Sequence, residues 1–195
     1  MQPPNRQPMN YVCTYLGNRF YPSEPRIDRI DIEDIAHGLA FQCRFNGQTT
    51  RFYSVAQHSL MVAALVSPRL RLPALLHDAA EAYLGDMVKP LKRLFPEFSR
   101  LEIGVLDLIG QRFSVNLRSQ PAIEKADLVA LATEKRDLMP HSTETWTSLA
   151  GISPLPELID PWSPEEAKQR FMEACIAEIG PLITMSPNRV RVPIS

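Results

Sequence analysis

Proline placement constrains this chain more than any other feature. A proline inside a helix removes a hydrogen bond and clashes with the carbonyl four residues back, so helices must start or stop around it. The chain has 195 residues with 18 prolines against 8 glycines, yet only Pro68, Pro73, Pro90, Pro96 and Pro121 fall between residues 26 and 139. The others crowd into the head and the region after residue 139. The central block is free to be helical, and stiff irregular segments flank it.

Apolar spacing fills that block with helices. Asp31 or Asp34 can start one running to about residue 41, with Ile32, Ile35 and Leu39 at helical spacing. Ser54, with Gln57 three residues on, is a capping-box signature for a helix over residues 55–66, and Pro68 follows its end. A further helix is expected over 70–83, stopping near Gly85, with Pro73 in its first turn, where a missing N–H costs little. Residues 98–113 place Leu101, Val105, Leu108 and Ile109 on one side. Pro121 opens a long helix to about residue 139, and Pro164 a last one to 179, stopped by Gly180-Pro181. Residues 14–20 read as a turn or short strand, and Asn46-Gly47 as the turn of a small hairpin or structured loop. Alternating strand patterns are nearly absent. The expectation is one all-α domain with its core over about 30–140, long proline-rich loops at both ends, and an irregular tail.

Composition narrows the function classes. Apolar residues at 45% and charged residues at 22% are ordinary for a soluble domain. No 18-residue run is apolar and uncharged, and the best stretch, 60–66, is far too short to span a membrane. A net charge of −1 argues against a nucleic-acid polymer as partner, while leaving room for a small cationic pocket. Cys13, Cys43 and Cys175 form no CxxC pair and read as reduced thiols. With no apolar leader at the N-terminus, a cytoplasmic location is expected.

The chemistry lies in the histidines. Of the four, His37 precedes Gly38 in an amphipathic helix and reads as a satisfied, partly buried side chain, and His141 as a cap or surface residue. The other two have unusual surroundings. Ala56-Gln57-His58-Ser59 opens an apolar helix, and Leu75-Leu76-His77-Asp78-Ala79-Ala80-Glu81 lies inside another. A His-Asp pair in an apolar helix is expensive unless its polar atoms are satisfied. A divalent ion would satisfy them, since imidazole and carboxylate suit such a metal. Adjacent helix residues point about 100° apart, so His77 and Asp78 reach one ion only at a helix edge. His58 would arrive from the preceding helix, and Asp127, in the apolar stretch 123–131, is the best fourth ligand.

This H…HD…D pattern resembles the HD-domain metal-dependent phosphohydrolases. The closer resemblance is to their bacterial 5′-deoxynucleotidase-like branch, in which the doublet is followed by a Glu and, past a Gly, an Asp. Here those positions are Glu81, Gly85 and Asp86. The resemblance covers about residues 30–140. It implies a helical HD fold, with one divalent ion (Co2+, Mn2+, Mg2+, Fe2+ or Zn2+) held by His58, His77, Asp78 and Asp127. It implies Glu81 and Asp86 as catalytic groups, and Arg44-Phe45 as nucleotide contacts, with Phe where the branch carries Trp. Members often dimerise, so a homodimer is expected.

In the mechanism this implies, the ion polarises a phosphate oxygen and activates water. Asp86 positions or deprotonates that water, or protonates the leaving 5′-oxygen. Glu81, a helical turn after His77 on the same face, orients a ligand or exchanges protons. Arg44, Arg51, Lys89 and Lys92 are the candidate phosphate cations. Glu134, on the helical face of Asp127, lines the pocket or pairs with Lys135 or Arg136 from a neighbouring segment. The expected reaction releases phosphate from a (deoxy)nucleoside monophosphate. A deoxynucleoside triphosphate triphosphohydrolase and an inactive nucleotide-binding or scaffold module are the alternatives, and the presence of both Glu81 and Asp86 argues against the second.

Overall fold

Helix α1 (Ile32–Phe41) begins where Asp31 accepts the Glu33 N–H at 2.8 Å, and it buries Ile35, Ala36, Leu39 and Ala40 along one stripe. The structure, a computed structural model, describes residues 10–141 and 144–183. Before α1, strands β1 (Val12–Cys13) and β2 (Arg19–Phe20) pair antiparallel, Val12 opposite Phe20. The small hairpin therefore lies in the head, and Gly17, at φ 78°, sits in its turn. Around Asn46-Gly47 the chain makes a structured loop instead. Cys43 and Ser54 form a single antiparallel bridge, and residues 45–47 make a 3-10 turn.

Helix α2 (Val55–Ala64) is the central element. Ser54 caps it by accepting the Gln57 N–H at 3.1 Å, and every residue from Val55 to Ser59 is buried. The reciprocal half of the capping box is not made. The Gln57 side chain instead donates to the Asp160 carbonyl at 2.9 Å and accepts the Trp162 N–H at 2.9 Å. It thereby fixes the proline-rich 144–163 segment, which Thr133 and Asp137 also hold through the Leu155 and Ile159 amides.

The helix expected over 70–83 is not continuous. Helix α3 (Arg71–Leu75) ends, five residues of turn follow, and α4 (Glu81–Leu84) resumes. The His77 Nδ1 lies 2.7 Å from the Ala74 carbonyl, the acceptor that a regular α-helix would give to the residue 78 N–H. Backbone bonds shift to i−3 spacing, as in Ala79 to Leu76 at 3.0 Å and Glu81 to Asp78 at 2.9 Å. Glu81 thus does not follow His77 along one α-helical face.

Beyond Gly85 come α5 (Lys89–Lys92), α6 (Pro96–Phe113), α7 (Pro121–Leu138) and α8 (Pro164–Ile183). Proline opens α6, α7 and α8, where its missing N–H is no loss. Helix α8 runs past residue 179 and through Gly180-Pro181, so that pair is not its stop. Pro181 falls in the last turn, where it removes one backbone bond without undoing the helix before it. Ala167, Phe171 and Cys175 of α8 join the core with α1, α2 and α3, so the core draws on residues beyond 140. All three cysteines are free thiols. The proline-rich tail beyond 183 lies outside the described residues.

Gly38 lets α1 approach α4. A Cβ there would sit 2.8 Å from both the Ala82 Cβ and the Ala82 carbonyl oxygen. Gly38→Ala should force the two helices apart and lower stability by about 1–3 kcal/mol in urea unfolding. Unchanged stability would contradict this packing.

Candidate metal centre

The centre is built around His58, whose side chain is fully buried. Its Nδ1 lies 2.7 Å from Oε1 of Glu134, one helix away on α7 and equally buried. The other oxygen, Glu134 Oε2, accepts from Arg44 Nε at 3.2 Å and lies 3.1 Å from its Nη2. Burial would raise the Glu134 pKa, but Arg44 and His58 outweigh it and hold the carboxyl below its ordinary value. An ionised Glu134 accepts a proton-bearing Nδ1, which leaves Nε2 of His58 facing the centre.

His77 is oriented the same way by a different acceptor. A carbonyl accepts only, so the Ala74 contact places the proton on His77 Nδ1 and turns Nε2 outward. Both Nε2 atoms are buried without a hydrogen-bond partner. His58 Nε2 lies 3.2 Å from Asp127 Oδ1 and 3.6 Å from Asp78 Oδ2, and His77 Nε2 lies 3.3 Å from Asp78 Oδ2. One ligand atom from each of His58, His77 and Asp127 lies within 4.8 Å of the others. Two unpartnered imidazole nitrogens facing a carboxylate are a donor set that fits one divalent ion, and each imidazole has the outer hydrogen bond that metal-ligating histidines use.

The electrostatics call for positive charge at this point. Burial and Arg44 act to lower the His58 pKa, yet Glu134 and Asp127 overcome them and raise it to about 9. Asp127 is held below its ordinary value because His58, His77 and Lys89 outweigh its burial. Asp78 is lowered as well, since His77, His58 and Arg44 outweigh its burial.

Arg44 precedes a strained turn. Phe45 and Asn46 both have left-handed φ, 55° and 52°; asparagine adopts this region readily, but for Phe45 it costs about 1–2 kcal/mol. The turn stacks the Phe45 ring against the Arg44 guanidinium at 5.3 Å and sets it 6.0 Å from Trp146. Arg44 also reaches Asp78 at 3.7 Å, so it joins two carboxylates of the centre. Lys89 is 69% exposed, with its Nζ 3.5 Å from Asp127 Oδ2.

Glu81 and Asp86 lie beside this cluster. Burial, then Asp78 and Asp86, push the Glu81 carboxyl well above its ordinary range; its Oε1 lies 3.2 Å from Lys92 and its Oε2 has no partner. Burial raises Asp86 too. Lys92 is engaged on both sides, since it also donates to Glu102 at 2.6 Å. Nothing in the sequence marks Glu102 as its partner.

Two expectations are corrected by position. Arg51 is paired away from the carboxylates of the centre. Thr50 is anchored to the Leu138 carbonyl at the end of α7, a turn beyond Glu134, and Arg51 forms an exposed pair with Asp160. Glu134 does not line a pocket or pair with Lys135 or Arg136, because it is sealed behind His58 and Arg44. His37 is partly buried and stacks between Tyr15 and Phe41 at 3.9 and 4.2 Å, and His141 is exposed. Cavities of about 280 and 360 Å³ lie beside Tyr15 and His37 and include none of the metal-centre residues.

Fold and site define an all-α protein with a two-stranded hairpin and a buried His-His-Asp cluster able to hold one divalent ion. No family model matches the chain. It is 39% identical over 167 residues to the uncharacterized protein YfdR of Escherichia coli K12, across 85% of this chain and 93% of YfdR, and it belongs to the same family. It is also 53% identical over 85 residues to an uncharacterized protein of Rhodobacter capsulatus, across 39% of this chain and 43% of that protein. Among the described residues, no helix is long and apolar enough to cross a membrane.

One divalent ion per chain should be found by elemental analysis, and His77→Ala should lose it. Glu134→Gln removes the anion behind His58 and should weaken metal affinity by about 10- to 100-fold in a competition titration. Metal affinity unchanged in both variants would contradict the assigned centre.

Proposed function

We propose that this chain is an HD-type metal-dependent phosphohydrolase acting on (deoxy)nucleotides, and that it releases inorganic phosphate from (deoxy)nucleoside 5′-monophosphates. The observation that carries this reading is the convergence of the two unpartnered Nε2 atoms on Asp78 and Asp127, with Glu81 and Asp86 alongside. His58, His77, Asp78 and Asp127 would hold the ion. A divalent ion held by these residues would supply Lewis-acid polarisation of a phosphoryl oxygen and a more acidic bound water.

The remaining work falls to the protein's own groups. Arg44 carries fixed positive charge beside Asp78 and orients the phosphate. Lys89 is largely exposed, so it can turn from Asp127 to a phosphate oxygen without a large desolvation cost. Asp86 holds its proton to higher pH than an ordinary aspartate, which suits donation to the leaving 5′-oxygen. Glu81, buried beside Lys92, orients the groups around it. The reading takes a small nucleotide as substrate and requires neither a nucleic-acid polymer nor a membrane; it places the protein in the cytoplasm, as a homodimer.

The test is turnover of a panel of nucleoside mono- and triphosphates by purified protein with Mn2+, Co2+, Mg2+, Fe2+ or Zn2+. Phosphate from monophosphates is the expected product. Asp86→Asn should retain metal while losing about 10²- to 10⁴-fold in rate. Tripolyphosphate from deoxynucleoside triphosphates would move the assignment to a triphosphohydrolase. No turnover of any nucleotide would overturn the enzymatic reading in favour of a binding module.

A further inference from the structure

Gln42, the residue just past α1, has every polar side-chain atom engaged. Its Nε2 donates to the Gly38 carbonyl at 3.0 Å and to the Glu81 carbonyl at 2.8 Å, and its Oε1 accepts the Asp86 N–H at 2.9 Å. These partners settle the amide orientation, because a flipped amide would set its NH₂ against a backbone donor and its oxygen against two carbonyls. The backbone of Gln42 is committed too: its carbonyl accepts the Val55 N–H at 3.2 Å, at the start of the helix that carries His58.

The two distant side-chain bonds, to Glu81 and to Asp86, straddle one turn. Helix α4 ends at Gly85, whose φ of 90° reverses the chain immediately before Asp86, and Gly85 itself donates back to the Glu81 carbonyl at 2.8 Å. A turn that hinges on glycine does not fix the direction of the next residue. The Gln42 oxygen supplies that restraint, tying the Asp86 amide to the same residue that joins α1 to α2.

We propose that Gln42 is a positioning residue that sets the Asp86 carboxyl in register with the metal centre by clamping the turn between Glu81 and Asp86 to α1 and α2. This rests on the nucleotidase reading for its kinetic consequence. None of the hydrogen bonds of Gln42 reaches His58, His77, Asp78 or Asp127 through a side chain, so the effect is one of geometry alone.

The experiment uses the full chain, metal-loaded, with Gln42→Met and Gln42→Glu. Methionine is similar in shape and makes neither bond. Glutamate keeps the acceptor for Asp86 and loses the donors to Gly38 and Glu81. Metal content should equal wild type in both. In Gln42→Met, kcat should fall about 10- to 100-fold with KM little changed, as for a misplaced group. Hydrogen exchange at the Asp86 amide should quicken at least about tenfold. Gln42→Glu sets its second oxygen against the Gly38 and Glu81 carbonyls, so it too should show faster exchange at Asp86 and a lower kcat than wild type; it carries the test if the methionine variant does not fold. A kcat within about threefold of wild type in Gln42→Met, or a raised KM at unchanged kcat, would overturn the proposal. So would unchanged protection at Asp86. If the wild-type protein turns over no nucleotide, the functional reading fails by itself, and the exchange measurement alone decides whether Gln42 clamps the turn.

Discussion

The carboxylate of Glu134 is the interaction on which the site depends. It has no exposure to solvent, and an isolated buried anion would not survive there as a charge. Two donors make it tolerable. His58 comes from α2, and Arg44 comes from the loop before α2, so one buried group joins three parts of the chain. The arrangement also dictates chemistry. By accepting the hydrogen bond from the His58 Nδ1–H, Glu134 leaves Nε2 facing Asp78 and Asp127. By holding Arg44 from one side, it brings the guanidinium within reach of Asp78 on the other. Removing one partner of such a buried pair is strongly destabilising, at about 3–5 kcal/mol, because the other charge is left behind.

The Ala74 carbonyl does for His77 what Glu134 does for His58, at the expense of helix regularity. The break between α3 and α4 is what allows neighbouring residues His77 and Asp78 to face one point, which a straight α-helix does only along an edge. The same break starts α4 at Glu81 and leads through Gly85 to Asp86. The metal centre and the carboxyls beside it therefore share one structural cause.

Much of this could be read from residues, and the reasons for the misses are physical. His58, His77, Asp78 and Asp127 stood out because each is a polar group in an apolar stretch, and the structure brings all four together. The break at residue 76 was invisible, because an unbroken apolar run gives the same pattern whether or not a side chain takes a backbone acceptor. Helical spacing puts Glu134 on the face of Asp127 but points to Lys135 or Arg136 as its partner, whereas Arg44 lies 90 residues away in sequence. Gln57 met the capping-box pattern, yet its side chain turned to the segment at Asp160 and Trp162, a tertiary contact that no local signal encodes. Arg51 is a cation near the expected site in sequence, but its ion pair is with exposed Asp160. Gln42 gave no signal because a glutamine just past a helix is commonplace; only its three partners make it special.

The central claim is that His58 and His77 present Nε2 to one ion, each with Nδ1 protonated and tied back to the protein. Long-range proton–nitrogen NMR of the imidazole rings during a Zn2+ titration tests this directly. The account predicts that both rings carry hydrogen on Nδ1 in the loaded protein, and that both Nε2 resonances shift together and stop at one equivalent of zinc. Zinc shifting neither ring, or the two rings titrating at different equivalents, would contradict it.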